Sequence, residues 1–74
     1  MMRAEEHEYF KKLTRREREV LAGILEFKTL KEISAELNIS TKTVQVHSCH
    51  IYEKFGVSRY EGRRAIWKLY GLRK

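Results

Sequence analysis

The chain has 74 residues, a formal net charge of +6, a single cysteine and no proline. A chain this short forms one domain, one cysteine excludes an internal disulfide, and apolar runs of three or four residues are too short to span a membrane. The N-terminus, MMRAEEHEYFKK, lacks the apolar stretch of a signal peptide. These features predict a soluble cytoplasmic domain that has no membrane partner.

The excess positive charge lies entirely in the second half of the chain. Residues 1–37 contain eight Lys/Arg and eight Asp/Glu, whereas residues 38–74 contain eight Lys/Arg and two acids. A basic half of this kind favours a polyanionic partner such as nucleic acid.

The first predicted element is ambiguous. Residues 1–12 are charged and lack an apolar stripe, which predicts an N-terminal arm or a short helix packed through Tyr9 and Phe10. Residues 13–74 form the predicted domain. In a capping box, a hydroxyl residue is followed three positions later by Glu, and this spacing occurs at 14–17, 29–32 and 58–61. Ser40 provides a plain N-cap for one further helix.

These caps and the apolar periodicity predict four helices, over about 15–27, 30–37, 41–55 and 59–70. Gly56 and Gly71 follow the third and fourth helices, where glycine commonly ends a helix. Only Asn38, Ile39 and Ser40 separate the second helix from the third. Such a short turn is typical of a helix-turn-helix, although a plain helical hairpin has the same pattern. The predicted fold is all-α: a four-helix domain with a central helix-turn-helix.

The third helix has two distinct faces at about 100° per residue. The inward face carries Val44, Ser48, Ile51 and Phe55. The outward face carries Lys42, Gln45, Val46, Cys49 and Glu53. On that face, Gln45 can pair with adenine N6 and N7, and Val46 can pack on a thymine methyl group.

The stretch His47-Ser48-Cys49-His50 also raises a metal site and nucleophilic catalysis as alternatives. His47 and His50 can share a helix face, but Cys49 points elsewhere, and a tetrahedral site needs three or four converging ligands. Catalysis by Cys49 would need a base and an orienting group within a pocket. The sequence therefore predicts no metal, no cofactor and no enzymatic activity.

Four segments resemble the LuxR/GerE-type DNA-binding domain: LTRREREVL (13–21), KTLKEISAELNIS (28–40), KTVQVH (42–47) and KFGV (54–57). The resemblance covers residues 13–72 and is closest to the stand-alone GerE-like form. It implies a transcription regulator that binds double-stranded DNA as a homodimer, with the third helix in the major groove and the fourth helix carrying dimer contacts. One departure is Phe27, which replaces a glycine common after the first helix.

The resemblance also implies roles for individual residues. The base-contacting positions are Gln45, Val46 and Cys49. The phosphate-contacting positions are Thr29, Lys31, Ser40, Lys42, Thr43 and Lys54.

The fourth helix has two usable faces in the sequence. Gly62, Ala65, Ile66 and Leu69 are predicted to face inward. A second side carries Tyr60, Arg63, Trp67, Tyr70 and Lys74. Because aromatic residues and Arg are enriched at interfaces, we expect Tyr60, Arg63, Trp67 and Tyr70 to form the dimer interface; the alternative is that Trp67 belongs to the core.

Two other functions remain compatible with the pattern. Region 4 of a sigma factor shares LTRREREVL and TLKEI, and would add RNA polymerase as a partner. A helix-turn-helix fold can also serve as a protein-binding adaptor. Steep weakening of binding with salt distinguishes DNA binding from docking on an apolar protein surface.

Overall fold

The computed structural model describes residues 8–72, and within that range the protein is all-helical, without a strand. A 3₁₀ helix, Glu8–Lys12, is followed by α1 (Arg15–Leu25), α2 (Leu30–Leu37), α3 (Thr41–Phe55) and α4 (Arg63–Leu69). The predicted all-α fold with four helices is confirmed. The predicted bounds of the second and third helices agree with α2 and α3.

The first three α-helices begin at the predicted hydroxyl caps. Thr14 and Thr29 each form a complete capping box with the Glu three residues later. The hydroxyl of Ser40 accepts a hydrogen bond from the backbone N–H of Thr43 at 3.1 Å. Each cap satisfies a backbone donor that has no partner inside its helix, so these sequence signals fix where the helices start.

The turn between α2 and α3 has the predicted helix-turn-helix geometry. Asn38 adopts the left-handed conformation, with φ 56° and ψ 45°. The N–H of Ile39 then donates to the carbonyl of Ser34 at 3.1 Å, which closes the end of α2. Ile39 packs against the hydrophobic core while Ser40 starts α3. The turn therefore aims α3 across the domain, where it packs against both α1 and α2.

Helix α1 ends two residues before its predicted end. Phe27 has a φ of 60°, a left-handed value that is unusual for a residue with a side chain. The N–H of Lys28 donates to the carbonyl of Gly23 at 3.0 Å, and this bond closes the helix end. The ring of Phe27 lies 4.8 Å from the ring of Trp67, centroid to centroid. Phe27 thus occupies a conformation suited to glycine, and its side chain packs against α4.

Helix α4 starts later than predicted, at Arg63 instead of residue 59. The expected capping box at 58–61 does not form, because Gly62 adopts φ 47° and ψ −118° immediately before the helix and no side chain caps it. Residues 59–62 form a turn in which the N–H of Gly62 donates to the carbonyl of Ser58 at 2.8 Å. A Cβ on Gly62 would also lie 3.4 Å from the Tyr52 ring. The turn that Gly62 allows therefore decides where α4 starts, in place of the capping pattern at 58–61.

The second aromatic face predicted for α4 is not exposed. Trp67 is 7% exposed and Tyr70 is 1% exposed, and both belong to the core of the chain itself. The indole N–H of Trp67 donates to the carbonyl of Ile24 at 2.8 Å. Leu69, predicted to face inward, is instead 39% exposed. The expectation that Trp67 and Tyr70 lie on an exposed face is wrong: the Phe27 ring after α1 packs against Trp67, and the Phe55 ring of α3 lies 6.2 Å from the Tyr70 ring.

The N-terminal residues that the structure describes pack on the domain. In the 3₁₀ helix, Tyr9 lies 5.6 Å from Phe55, between ring centroids, and the guanidinium of Arg18 lies 4.7 Å from the Phe10 ring. Residues 1–7, and Lys74 of the fourth-helix prediction, lie outside the described residues.

Helices α1 and α2 approach closely at Gly23. A Cβ built on Gly23 would lie 2.6 Å from Cγ1 of Ile33, which is 2% exposed in the core. Gly-to-Ala changes inside a helix normally stabilise by about 1 kcal/mol through backbone propensity. At this position, overpacking of a closed core should outweigh that gain.

We therefore expect Gly23→Ala to lower the free energy of unfolding by about 1–3 kcal/mol. Urea denaturation followed by circular dichroism measures the change. A variant as stable as the wild type, or more stable, would show that the α1–α2 contact is looser than the structure indicates.

Burial of Trp67 gives a second prediction. Trp67→Ala removes a core aromatic ring and leaves the Ile24 carbonyl without its indole donor, so it should cost about 3–5 kcal/mol. A domain this small should then melt well below the wild type or fail to fold. Lys68→Ala, an exposed neighbour on α4, is the control and should melt like the wild type. A Trp67→Ala variant that melts near the wild-type temperature would show that Trp67 is not part of the core.

Candidate nucleic-acid interface

Helix α3 is split lengthwise into a buried face and an exposed face. Val44 and Ile51 are fully buried and Phe55 is 4% exposed. On the other side, Gln45 is exposed and Val46 is 46% exposed, a large value for an apolar side chain. The predicted assignment of faces is confirmed for these residues. An exposed Val beside an exposed Gln is well suited to contact base edges, because one is apolar and the other can make paired hydrogen bonds.

Cys49 is only half-buried, and it lines a groove with Gln45. The groove has a volume of about 640 Å³ and runs between α3, the start of α2 and the segment that leads into α4. Its lining residues are Thr29, Leu30, Gln45, Ser48, Cys49, Tyr52, Arg59 and Arg63. Two arginines that are distant in sequence therefore stand beside the outward face of α3.

Arg63 makes contacts within the chain that its position in the sequence does not indicate. It was predicted for the dimer interface, yet its guanidinium donates to the backbone carbonyl of Lys28 and it lines the groove beside Gln45. Of the residues predicted for that interface, Tyr60 is the one left fully exposed. The sequence signal for Arg63 was ambiguous, because a helical wheel shows which residues share a side but not what covers that side.

Five of the six residues predicted to contact phosphate lie at the starts of α2 and α3: Thr29, Lys31, Ser40, Lys42 and Thr43. Lys31 and Lys42 are exposed, and Thr43 is exposed in the first turn of α3. A helix N-terminus attracts anions through its unpaired N–H groups and its dipole. The first turn of α3 therefore combines a lysine, hydroxyl groups and a positive helix end.

Two of the predicted hydroxyl contacts also cap helices. The Thr29 hydroxyl accepts from the N–H of Glu32 at 3.0 Å, and the Ser40 hydroxyl accepts from Thr43. The pKa of the Glu32 carboxyl is lowered, mainly by the hydrogen bond from the Thr29 backbone. A hydroxyl that accepts one hydrogen bond can still donate its proton. Capping and phosphate binding are therefore chemically compatible at Thr29. The Ser40 hydroxyl also lies 2.8 Å from the Thr43 hydroxyl, so one hydroxyl of that pair keeps a proton for a phosphate.

Lys54 is engaged by a buried carboxylate. Its Nζ lies 2.7 Å from Oε1 of Glu17, a residue that is only 3% exposed, and the lysine side chain itself is 33% exposed. The second oxygen, Oε2, lies 3.4 Å from Nδ1 of His50. Lys54 therefore joins the end of α3 to the start of α1, whatever it contacts outside the domain.

The environment of Glu17 keeps the carboxyl group ionised. Burial raises its pKa, but the hydrogen bond from Lys54, the backbone hydrogen bond from Thr14 and the charges of Lys54 and His50 outweigh that effect, so the pKa lies below its usual value. In the sequence, Glu17 stands out only as the acidic residue of a capping box. Its spacing to Val20, Leu21 and Ile24 on α1 places it on the apolar face, and that spacing was the available signal.

The histidines of α3 also have a neighbour from α1 that is distant in sequence. Glu17 on α1 lies beside His47 and His50, and one candidate ligand atom from each of the three lies within 4.8 Å of the others. Cys49, in contrast, lines the groove.

No helix within residues 8–72 combines the length and apolar character needed to cross a membrane.

Comparison with known proteins finds one matching family. The sequence profile described as bacterial regulatory proteins, luxR family, matches residues 11–61. The chain is 50% identical over 46 residues to the transcriptional regulatory protein UhpA of Escherichia coli strain K12, which is 62% of this chain and 24% of UhpA. It is 51% identical over 45 residues to the spore germination protein GerE of Bacillus subtilis strain 168, which is 61% of each chain.

A third relative is the transcriptional regulatory protein LiaR of Bacillus subtilis strain 168, which is 52% identical over 46 residues, or 22% of LiaR. The matched region thus spans about a quarter of UhpA and LiaR and three fifths of GerE. No solved structure matches the chain.

Proposed function

The chain belongs to the luxR family of bacterial regulatory proteins, and from that premise we propose that it is a DNA-binding transcription regulator, without enzymatic activity, that inserts α3 into the major groove. The observation that carries the proposal is the exposed face of α3, where Gln45 and Val46 stand clear of the core. The relatives named as transcriptional regulatory proteins support the same function. A DNA partner and a single reduced thiol are both consistent with a location in the bacterial cytoplasm.

Sequence recognition is proposed for three side chains. Gln45 pairs with adenine, Val46 packs on a thymine methyl group, and Cys49 contacts the base edge next along the groove. All three lie on α3, at positions separated by one and three residues. They therefore address neighbouring base pairs, as expected for one helix crossing the major groove.

Backbone binding is proposed for residues around that face. Thr29, Lys31, Ser40, Lys42, Thr43 and Lys54 contact phosphates and fix the register without reading sequence. We add Arg59 and Arg63, because both line the groove that contains Gln45 and Cys49. A DNA strand bordering the recognition helix at that groove would meet two further positive charges.

A homodimer is proposed as the state that binds DNA, with a changed interface. Trp67 and Tyr70 are buried in the core, so we place the dimer contact on the exposed side of α4. Leu69 is 39% exposed there, and Tyr60 just before α4 is fully exposed. A two-fold dimer would present its α3 helices to successive major-groove turns of an inverted repeat.

The two alternatives from the sequence have no specific observation in their favour. The profile that matches is that of the luxR family rather than of sigma factors, and RNA polymerase as a direct partner belongs to that alternative. The adaptor function predicts binding that is insensitive to salt, whereas the basic surface around α3 predicts the opposite.

Base reading and phosphate binding can be separated by two substitutions. Gln45→Ala should cost about 1–3 kcal/mol at one base position of each half-site and relax the preference there. Lys42→Gln should weaken binding to all sequences alike and lower the salt slope by about one. Selection of sites from random DNA measures the first effect, and affinity titration over a salt series measures the second.

The control is Lys11→Gln, which removes the same charge from the exposed 3₁₀ helix. It should leave both the selected motif and the salt slope of binding unchanged. An unchanged motif for Gln45→Ala would exclude α3 as the reading helix. Lys54→Gln is unsuitable for this purpose, because it would leave the buried Glu17 carboxylate without its closest cation.

The dimer geometry predicts the spacing of the operator. Its half-sites should lie about 10 bp apart, centre to centre, so that both α3 helices approach one side of the duplex. Inserting about 5 bp would turn one half-site to the far side and remove cooperative binding. Gel-shift titration of the two DNA fragments measures this. A 10-bp insertion is the matched control, and equal affinity for both inserted fragments would reject a rigid dimer.

A further inference from the structure

We propose that Glu17, His47 and His50 form a binding site for a zinc-type divalent metal ion that ties α1 to α3. Each residue offers one ligand atom, and the three atoms lie within 4.8 Å of one another. The carboxylate comes from the first turn of α1 and the two imidazoles from the middle of α3. The site adjoins the proposed DNA contacts at Lys54, whose Nζ bonds to Glu17, but it does not depend on the proposed function.

The geometry fits a small tetrahedral ion. With metal–ligand distances of about 2.0–2.1 Å, two ligand atoms of a tetrahedral zinc site lie about 3.4 Å apart. Oε2 of Glu17 and Nδ1 of His50 are already 3.4 Å apart, which is long for a hydrogen bond. Every separation in the group is at most 4.8 Å, and the His50 side chain, which is 51% exposed, has room to rotate toward an ion. The same exposure leaves room for a water molecule as fourth ligand.

The surroundings of the carboxylate leave one oxygen available. Oε1 of Glu17 accepts from the backbone N–H of Thr14 at 3.0 Å and from Nζ of Lys54 at 2.7 Å. These bonds fix the orientation of the carboxylate, as outer contacts do for metal ligands generally. Oε2 is thereby directed toward the histidine side. Glu17 is thus held as a ligand before any ion arrives.

His47 provides an independent observation. Its Nδ1 is buried and has no hydrogen-bond partner among the described residues. A buried polar atom without a partner is uncommon in native proteins and calls for an explanation. No hydrogen bond from another described residue occupies this nitrogen, so it is available to an ion.

The donor set selects the class of metal. Two imidazoles and one carboxylate suit zinc and related transition metals, whereas Mg²⁺ and Ca²⁺ prefer sites made of oxygen alone. The positive charge of Lys54 on the same carboxylate opposes a second cation. We therefore expect a site weaker than a structural zinc site made of four protein ligands.

The test is Zn²⁺ titration of the full chain by calorimetry, together with absorption spectroscopy of the Co²⁺ form and thermal melting with and without Zn²⁺. The wild type should bind one Zn²⁺ per chain, give the spectrum of four-coordinate Co²⁺ and melt at a higher temperature with the metal. His50→Gln should weaken Zn²⁺ binding by more than about tenfold, as expected when a metal ligand is lost. Its metal-free melting temperature should remain near that of the wild type, because His50 is exposed.

The matched control is His7→Gln, the same substitution at the remaining histidine, which should bind and melt with Zn²⁺ like the wild type. Three outcomes would overturn the proposal: no Zn²⁺ binding by the wild type, equal affinity of His50→Gln and the wild type, or a six-coordinate Co²⁺ spectrum. A fall in affinity for His7→Gln equal to that of His50→Gln would also overturn it. None of these measurements involves DNA, so they do not bear on the proposed regulator function.

Discussion

The packing of α3 against α1 depends on one buried carboxylate. Glu17 is 3% exposed, and it makes both a backbone hydrogen bond to Thr14 and an ion pair with Lys54. The first bond belongs to the start of α1 and the second to the end of α3. A buried charge is costly unless it is paired and hydrogen-bonded. The arrangement that satisfies Glu17 is therefore one in which α1 and α3 meet in this register.

A second constraint fixes the other end of α3. The left-handed residue Asn38 ends α2, Ile39 reaches the core, and Ser40 starts α3 within three residues. So short a turn permits few interhelical angles, and the packing of Val44 and Ile51 selects among them. With both ends set, the exposed side of α3 is presented as a rigid surface. A rigid surface would lose little conformational entropy on binding, which favours the sequence reading that we propose for α3.

Helix α4 serves the core more than expected. Trp67 donates to the carbonyl of Ile24 and packs on Phe27, whose own left-handed backbone ends α1. This contact covers the end of α1, and it leaves Phe27, Tyr60 and Leu69 as the exposed large apolar side chains near α4 among the described residues. A dimer contact on this side of α4, as we propose, would use Phe27, Tyr60 and Leu69 in place of Trp67 and Tyr70. Two adjacent half-sites on DNA would reinforce such a contact through effective concentration.

The sequence by itself determined the features that arise from local interactions. Caps at Thr14, Thr29 and Ser40, the turn at Asn38 and the two faces of α3 each depend on residues within one helical turn of each other, so spacing alone revealed them. Tertiary structure decided what depends on contacts between distant segments. It buried Trp67 against α1, brought Arg63 to the groove beside Gln45, and joined Glu17 to Lys54 and His50 across more than thirty residues. The start of α4 also depends on a contact between distant segments, because the unusual backbone of Gly62 lies against Tyr52. A helical wheel shows which side chains share a face, but only the packed helices show which faces are covered.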